Sequence, residues 1–172
     1  PNSNGLLDDS GTSTGGTAPE ASSGSSIGRL PDCSDTEDAA ADFAEFDLPS
    51  PGAQNAAGGG SGVCELGDVK INEFMANPSG SDSGAEWVEL YNNTNDVLDL
   101  AYHRLADDNK DDSTIKSVYP GSLEVEPGDY LVICANEDYF DNGGADCHGT
   151  ITYETWGGGF AMSNAGDEVI LL

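Results

Sequence analysis

Val69-Lys70-Ile71-Asn72-Glu73-Phe74, and after it Glu86-Trp87-Val88-Glu89-Leu90-Tyr91, change residue type with a period of two. Side chains of a strand point alternately to opposite faces, so this period is the mark of half-buried β-strands. Val69, Ile71 and Glu73 are expected on one face and Lys70, Asn72 and Phe74 on the other. The breaker-rich stretch 77–84 separates the two strands, and Asn92-Asn93-Thr94-Asn95-Asp96 is a turn by composition. Working outward, short strands are expected at 97–100, 102–106 and 123–125, with an edge strand at 114–118. A Pro127-Gly128 turn then leads into Tyr130-Leu131-Val132-Ile133-Cys134, the most apolar strand of the chain. Further strands are expected at 150–153, 160–162 and 168–172, with a turn at Asn164-Ala165-Gly166. No window carries a helical period. Short strands with turn chemistry between them predict an all-β sandwich or barrel. The expected core is Ile71, Trp87 or Val88, Leu90, Leu98, Leu100, Leu131, Ile133, Val169 and Leu171.

The chain has 172 residues with 5 Lys+Arg against 32 Asp+Glu, a formal charge of −27. Such a surface repels phosphate backbones and argues against nucleic acid as a partner. The length suggests one domain, burying roughly 70% of its unfolded surface. No apolar run approaches the ~20 residues of a membrane-spanning helix. The start has neither Met nor a basic and apolar leader, as expected of a processed chain or a cut piece.

The first third has a different composition. Of 6 Tyr, 5 Phe and 2 Trp, only Phe43 and Phe46 precede Phe74, so residues 1–55 cannot build a core alone. Residues 11–26 and 56–62 read as flexible Gly/Ser-rich stretches. Ile27, Leu30, Phe43, Phe46 and Leu48 are scattered apolar anchors, suited to an extended segment lying on something else.

Four groups of residues carry a family resemblance: Val69-Lys70-Ile71-Asn72-Glu73-Phe74-Met75-Ala76-Asn77-Pro78, Glu86-Trp87-Val88-Glu89-Leu90-Tyr91-Asn92, Pro127-Gly128-Asp129-Tyr130-Leu131-Val132 and Met162-Ser163-Asn164-Ala165-Gly166-Asp167-Glu168-Val169. In this order they resemble the successive signatures of the lamin-tail domain. The resemblance implies an immunoglobulin-like β-sandwich of the bacterial, secreted type. One departure is His103 before Arg104-Leu105, where the family usually has Trp or Tyr before Thr-Leu. Family members usually continue past the Gly-Asp-Glu strand with a Gly-Arg-x-Pro-Asp segment and a Pro-Gly-x-x-Asn tail. Gly28-Arg29-Leu30-Pro31-Asp32 and Pro51-Gly52-Ala53-Gln54-Asn55 are similar to these pieces, and Asn4-Gly5-Leu6-Leu7 to the turn and strand before them. All three stand at the front of the chain. The expected organisation is a front segment (1–55) resembling the C-terminal part of the family, a Gly-rich linker (56–65) and a lamin-tail-like sandwich (66–172). The front segment would complete its own chain, a neighbouring chain, or an adjacent repeat of a tandem array.

Cys33, Cys64, Cys134 and Cys147 are even in number, so disulfides are the default expectation. Three connectivities exist, and Cys134–Cys147 with Cys33–Cys64 is favoured over free thiols or a zinc site, for which no Cys-x-x-Cys spacing is present. Catalytic patterns are weak. Glu86 and Glu89 read as solvated or edge-facing, His103 and His148 have no nucleophile constellation, and Gly58-Gly59-Gly60 and Gly157-Gly158-Gly159 lack the context of a phosphate loop. The acidic loops carry the one plausible ligand chemistry: Asp107, Asp108, Asp111 and Asp112 in one, Asp138, Asp141, Asn142 and Asp146 in another, are candidate calcium ligands. Asn2, Asn4, Gly5 and Asp8 form part of a calcium-loop pattern; the alternative for all of them is a solvated surface. Asn92-Asn93-Thr94 matches a glycosylation sequon.

Two functions compete. One is a structural subunit or repeat of an extracellular filament or surface layer, assembled head-to-tail from copies of itself by strand complementation. The other is an adhesion or ligand-binding module of a larger secreted or cell-surface protein. The relocated front segment favours the first, and the chain's end at Leu172, just after a strand, favours a segment that reaches a neighbour over one that folds back, by leaving an acceptor edge. An enzyme is a distant third.

Overall fold

The computed structural model describes residues 16–32, 34–36, 38–55, 69–80, 85–101, 103–106, 113–117, 123–135, 147–153, 162–164 and 169–171. These form β1 (Ser26–Arg29), α1 (Ala39–Asp42), β2 (Phe43–Phe46), β3 (Val69–Met75), β4 (Trp87–Asn92), β5 (Leu98–Asp99), β6 (Arg104–Ala106), β7 (Ser113–Ser117), β8 (Glu124–Val125), β9 (Tyr130–Cys134), β10 (Gly149–Tyr153) and β11 (Ile170–Leu171). The fold is all-β, an immunoglobulin-like β-sandwich. The one helical turn among the described residues, α1, is absent from the sequence expectation; Asp38 caps it by accepting from the Ala40 N–H at 3.1 Å.

The long sheet runs β11-β6-β7-β10-β9-β4-β3-β1-β2, and β5 pairs with β8 separately. Among the described residues all pairings are antiparallel except β9–β10, which is parallel. Contrary to the expectation of an edge strand, β7 lies inside the sheet, between β6 and β10, because β11 and β6 extend the sheet beyond it. Among the described residues of 160–162, Met162 stands outside any strand.

The main core packs Val88 and Leu90 of β4 and Leu131 and Ile133 of β9 against Leu105, Leu123, Val125 and Val169, with Leu100 between. Ile71, Leu98 and Leu171 are half-buried at its margin. Trp87 faces the other side, clustered with Met75, Val132 and Cys134. Both faces of the β3-β4-β9 sheet are therefore covered.

The alternation expected for β3 breaks at one residue. Ile71 pairs with Leu90 but Glu73 pairs with Glu89, so Asn72 is a bulge. The extra residue reverses the parity of the residues after it. Phe74 joins Val69 and Ile71 at the main core, while Glu73 turns to the opposite face beside Glu89.

Turn chemistry behaves as its residues dictate. In Glu126-Pro127-Gly128-Asp129 the Asp129 N–H donates to the Glu126 carbonyl at 3.0 Å, and Gly128 supplies φ +83°, the left-handed third position that a type II turn needs. Asn92 ends β4 with its amide fully used. Nδ2 donates to the carbonyls of Asp96 and Val125, both at 2.9 Å, and Oδ1 accepts from the N–H and hydroxyl of Thr94. With 1% exposure, this asparagine is a structural bracket and not a glycan acceptor.

Candidate functional site

The front segment is where the sequence motifs converge. β1 lies antiparallel to β3, with Ile27 opposite Phe74 and Gly28 opposite Glu73, and β2 adds outside β1. The pairing is within one chain. Residues 29–32 and 50–55 then lie over the face of β3 and β4 that carries Glu73 and Glu89.

Those two glutamates are fully buried, and Glu86 is 3% exposed. The expectation that Glu86 and Glu89 are solvated or edge-facing is thus corrected: β4 is a central strand, and the front segment covers its second face. Neutral donors meet the carboxylates. Glu73 accepts from the Ser26 hydroxyl and from the Ser50 N–H at 3.1 and 3.2 Å. Glu89 accepts from Asn72 Nδ2 at 2.9 Å and from the Gly52 N–H at 2.5 Å. Asp32 accepts from the Tyr130 hydroxyl at 2.6 Å and the Asn55 N–H at 3.0 Å. Burial raises all three carboxyls above their ordinary values, and pushes Glu89 up to about 8. Burial also raises the Tyr130 phenol, with the Asp32 hydrogen bond as the next cause.

Asn55 is the keystone of this seam. Its Nδ2 donates to the carbonyls of Arg29 (3.0 Å) and Asn72 (3.3 Å), so one side chain ties the front segment to β3. Gly28 makes room for it: a Cβ there would lie 2.6 Å from Asn55 Nδ2. That clash explains a glycine at the head of Gly-Arg-x-Pro-Asp and an asparagine at the end of Pro-Gly-x-x-Asn.

A polar clamp flanks the keystone. Arg29 Nε donates to the Ile71 carbonyl at 2.8 Å and its guanidinium stacks over Phe43 at 4.6 Å. Asp35 and Asp42 lie near its Nη1 at 4.0 and 3.9 Å. Lys70 of β3 bonds Asp35 at 2.6 Å, a second charged link across the seam.

At the far end of the same face, Cys134 and Cys147 form a disulfide with Cα atoms 5.8 Å apart. His148 doubles the link: its N–H donates to the Val132 carbonyl and its Nδ1 accepts the Val132 N–H, at 2.9 and 3.0 Å. His103 is exposed just before β6. Cys33 and Cys64 lie outside the described residues, as do Asn2, Asn4, Gly5, Asp8 and the candidate calcium ligands Asp107, Asp108, Asp111, Asp112, Asp138, Asp141, Asn142 and Asp146. Among the described residues no group of three or more His, Cys, Asp or Glu is arranged to hold a metal ion, and no helix is long and apolar enough to cross a membrane.

Sequence reasoning named the motifs of the front segment but missed Glu73, Glu89 and Asn72. A usable signal was the placement of Glu89 between Trp87 and Tyr91 on one strand face, an acid framed by aromatics.

Fold and seam together define a β-sandwich module closed by a segment from its own front. A family model for the lamin tail domain matches residues 65–172, and the chain belongs to that family. No curated protein and no solved structure matches it significantly.

Proposed function

We propose that this chain is a structural subunit or repeat of an extracellular filament or surface layer, with the front segment as the piece that joins one sandwich to the next. The observation that carries this reading is the seam. The segment contributes two strands to the edge at β3 and the donors that Glu73 and Glu89 require, and without it β3 is left as an unpaired edge beside buried acids.

In this reading the front segment is the family's C-terminal portion relocated, which accounts for the two motifs meeting at Asn55. Residues 56–68 connect it to β3, and extended they reach roughly 40 Å. A segment on such a tether closes its own chain or a neighbour's through the same contacts. Head-to-tail exchange of this kind does not close on itself and so propagates. The acidic loops fit this setting as calcium-binding surfaces that relieve a charge of −27.

Electron microscopy of concentrated protein with calcium and with a chelator tests both parts. The expected result is filaments or ordered arrays that chelation shortens or disperses. Monomers at every concentration, in both conditions, overturn the reading.

A further inference from the structure

We propose that the seam takes up a proton when it closes, held by the Glu73–Glu89 carboxylates, so that the front segment is latched in acid and loosened in alkali. The geometry is short of hydrogens. Ser50 Oγ lies 3.1 Å from Asn55 Oδ1 and 3.2 Å from Glu73 Oε2, and its single proton serves one acceptor at a time. A proton on Glu73 removes the competition: Glu73 donates to Ser50 Oγ and Ser50 donates to Asn55. Asn72, whose Nδ2 contacts Glu89, is fully buried and its Oδ1 has no donor.

The charges around the pair favour the same outcome. Asp32 faces it from the front segment and raises both carboxyls after burial, and Glu73 raises Glu89. β3 contributes Asn72, and β9 contributes Tyr130, which bonds Asp32. β4 adds Tyr91, whose ring lies 5.0 Å from that of Tyr130. The nearby cations are engaged elsewhere, Arg29 with Ile71, Asp35 and Asp42, Lys70 with Asp35, while His148 receives the Val132 N–H.

With the seam open, Glu89 returns to the ordinary glutamate value of 4.5; closed, it stands at about 8. Between those values the closed form holds a proton that the open form has released. Closure therefore weakens as pH rises through this window and levels off above it. The latch belongs to the seam as seen within one chain, so a pH-independent seam would overturn it and leave the assembly reading standing.

Hydrogen exchange of the Ile27 and Gly28 amides, expressed as protection factors, should fall by about tenfold or more between pH 6 and pH 9. In Glu89→Gln, which carries its own hydrogens, that fall should shrink to a fraction of the wild-type value. The Glu89 carboxyl carbon, followed by NMR in the wild type, should titrate well above ordinary glutamates. Protection constant with pH, an equal fall in the variant, or a Glu89 midpoint in the ordinary range each overturns the latch. The wild-type titration decides alone if the variant does not fold.

Discussion

At the scale of the residue, Asn55 shows how one side chain holds two parts of the molecule together. Replacing it with alanine removes the donors to the Arg29 and Asn72 carbonyls and the acceptor for Ser50. Asn72 is fully buried and Arg29 nearly so, and polar groups stranded away from water each cost about 1–3 kcal/mol. Asn55→Ala should therefore destabilise the protein by about 2–4 kcal/mol, read as a lower urea midpoint. A loss of stability of less than ~0.5 kcal/mol would mean that water replaces the amide and that Asn55 is no keystone. The importance of Asn55 was legible only through motif resemblance. That of Glu89 was legible only in its place between Trp87 and Tyr91, a weak signal, because in a chain with 32 acids one more carboxylate carries little contrast until its neighbours in space are known.

At the scale of the element, period two placed the strands well. The stretch 130–134 is β9 over the same residues, and 150–153 is extended by one at Gly149. What alternation could not convey is a bulge: Asn72 looks like any polar strand residue, yet it reverses the faces of Glu73 and Phe74. Nor could it convey that β10 would join β9 in parallel, since strand partners are a property of the whole sheet. The parallel pair spans two residues on each strand, and the disulfide with a sequence separation of 13 reinforces it. Replacing Cys134 and Cys147 together by serine should cost about 3 kcal/mol. Hydrogen exchange should show the loss first in β10, with the β3–β4 amides protected for longer. Equal loss across all strands would show that the link supports the whole sandwich and not this junction.

At the scale of the molecule, the sandwich and its closing segment are separate stretches of chain with one shared seam. The composition break before Phe74 made that division legible, and the edge that the segment occupies followed only from the structure. A sandwich lacking residues 1–55 leaves the outer edge of β3 unpaired, uncovers the face of Glu73 and Glu89, and strips those acids of the donors from Ser26, Ser50 and Gly52. Water then hydrates the carboxylates, so the acids tolerate the loss better than the apolar neighbours Met75 and Trp87, which lie on the same face. The truncated chain should consequently melt well below the full chain and self-associate through its bare edge. Adding a peptide of residues 16–55 should restore the melting temperature in a concentration-dependent manner, because a ligand that binds only the folded state stabilises it by mass action. In the proposed assembly, rescue in trans is the step that would turn a closed monomer into a chain of subunits, because a neighbour's segment would perform it. A truncated protein that stays monomeric with an unchanged melting temperature would show that the segment belongs to no sandwich, its own or another's.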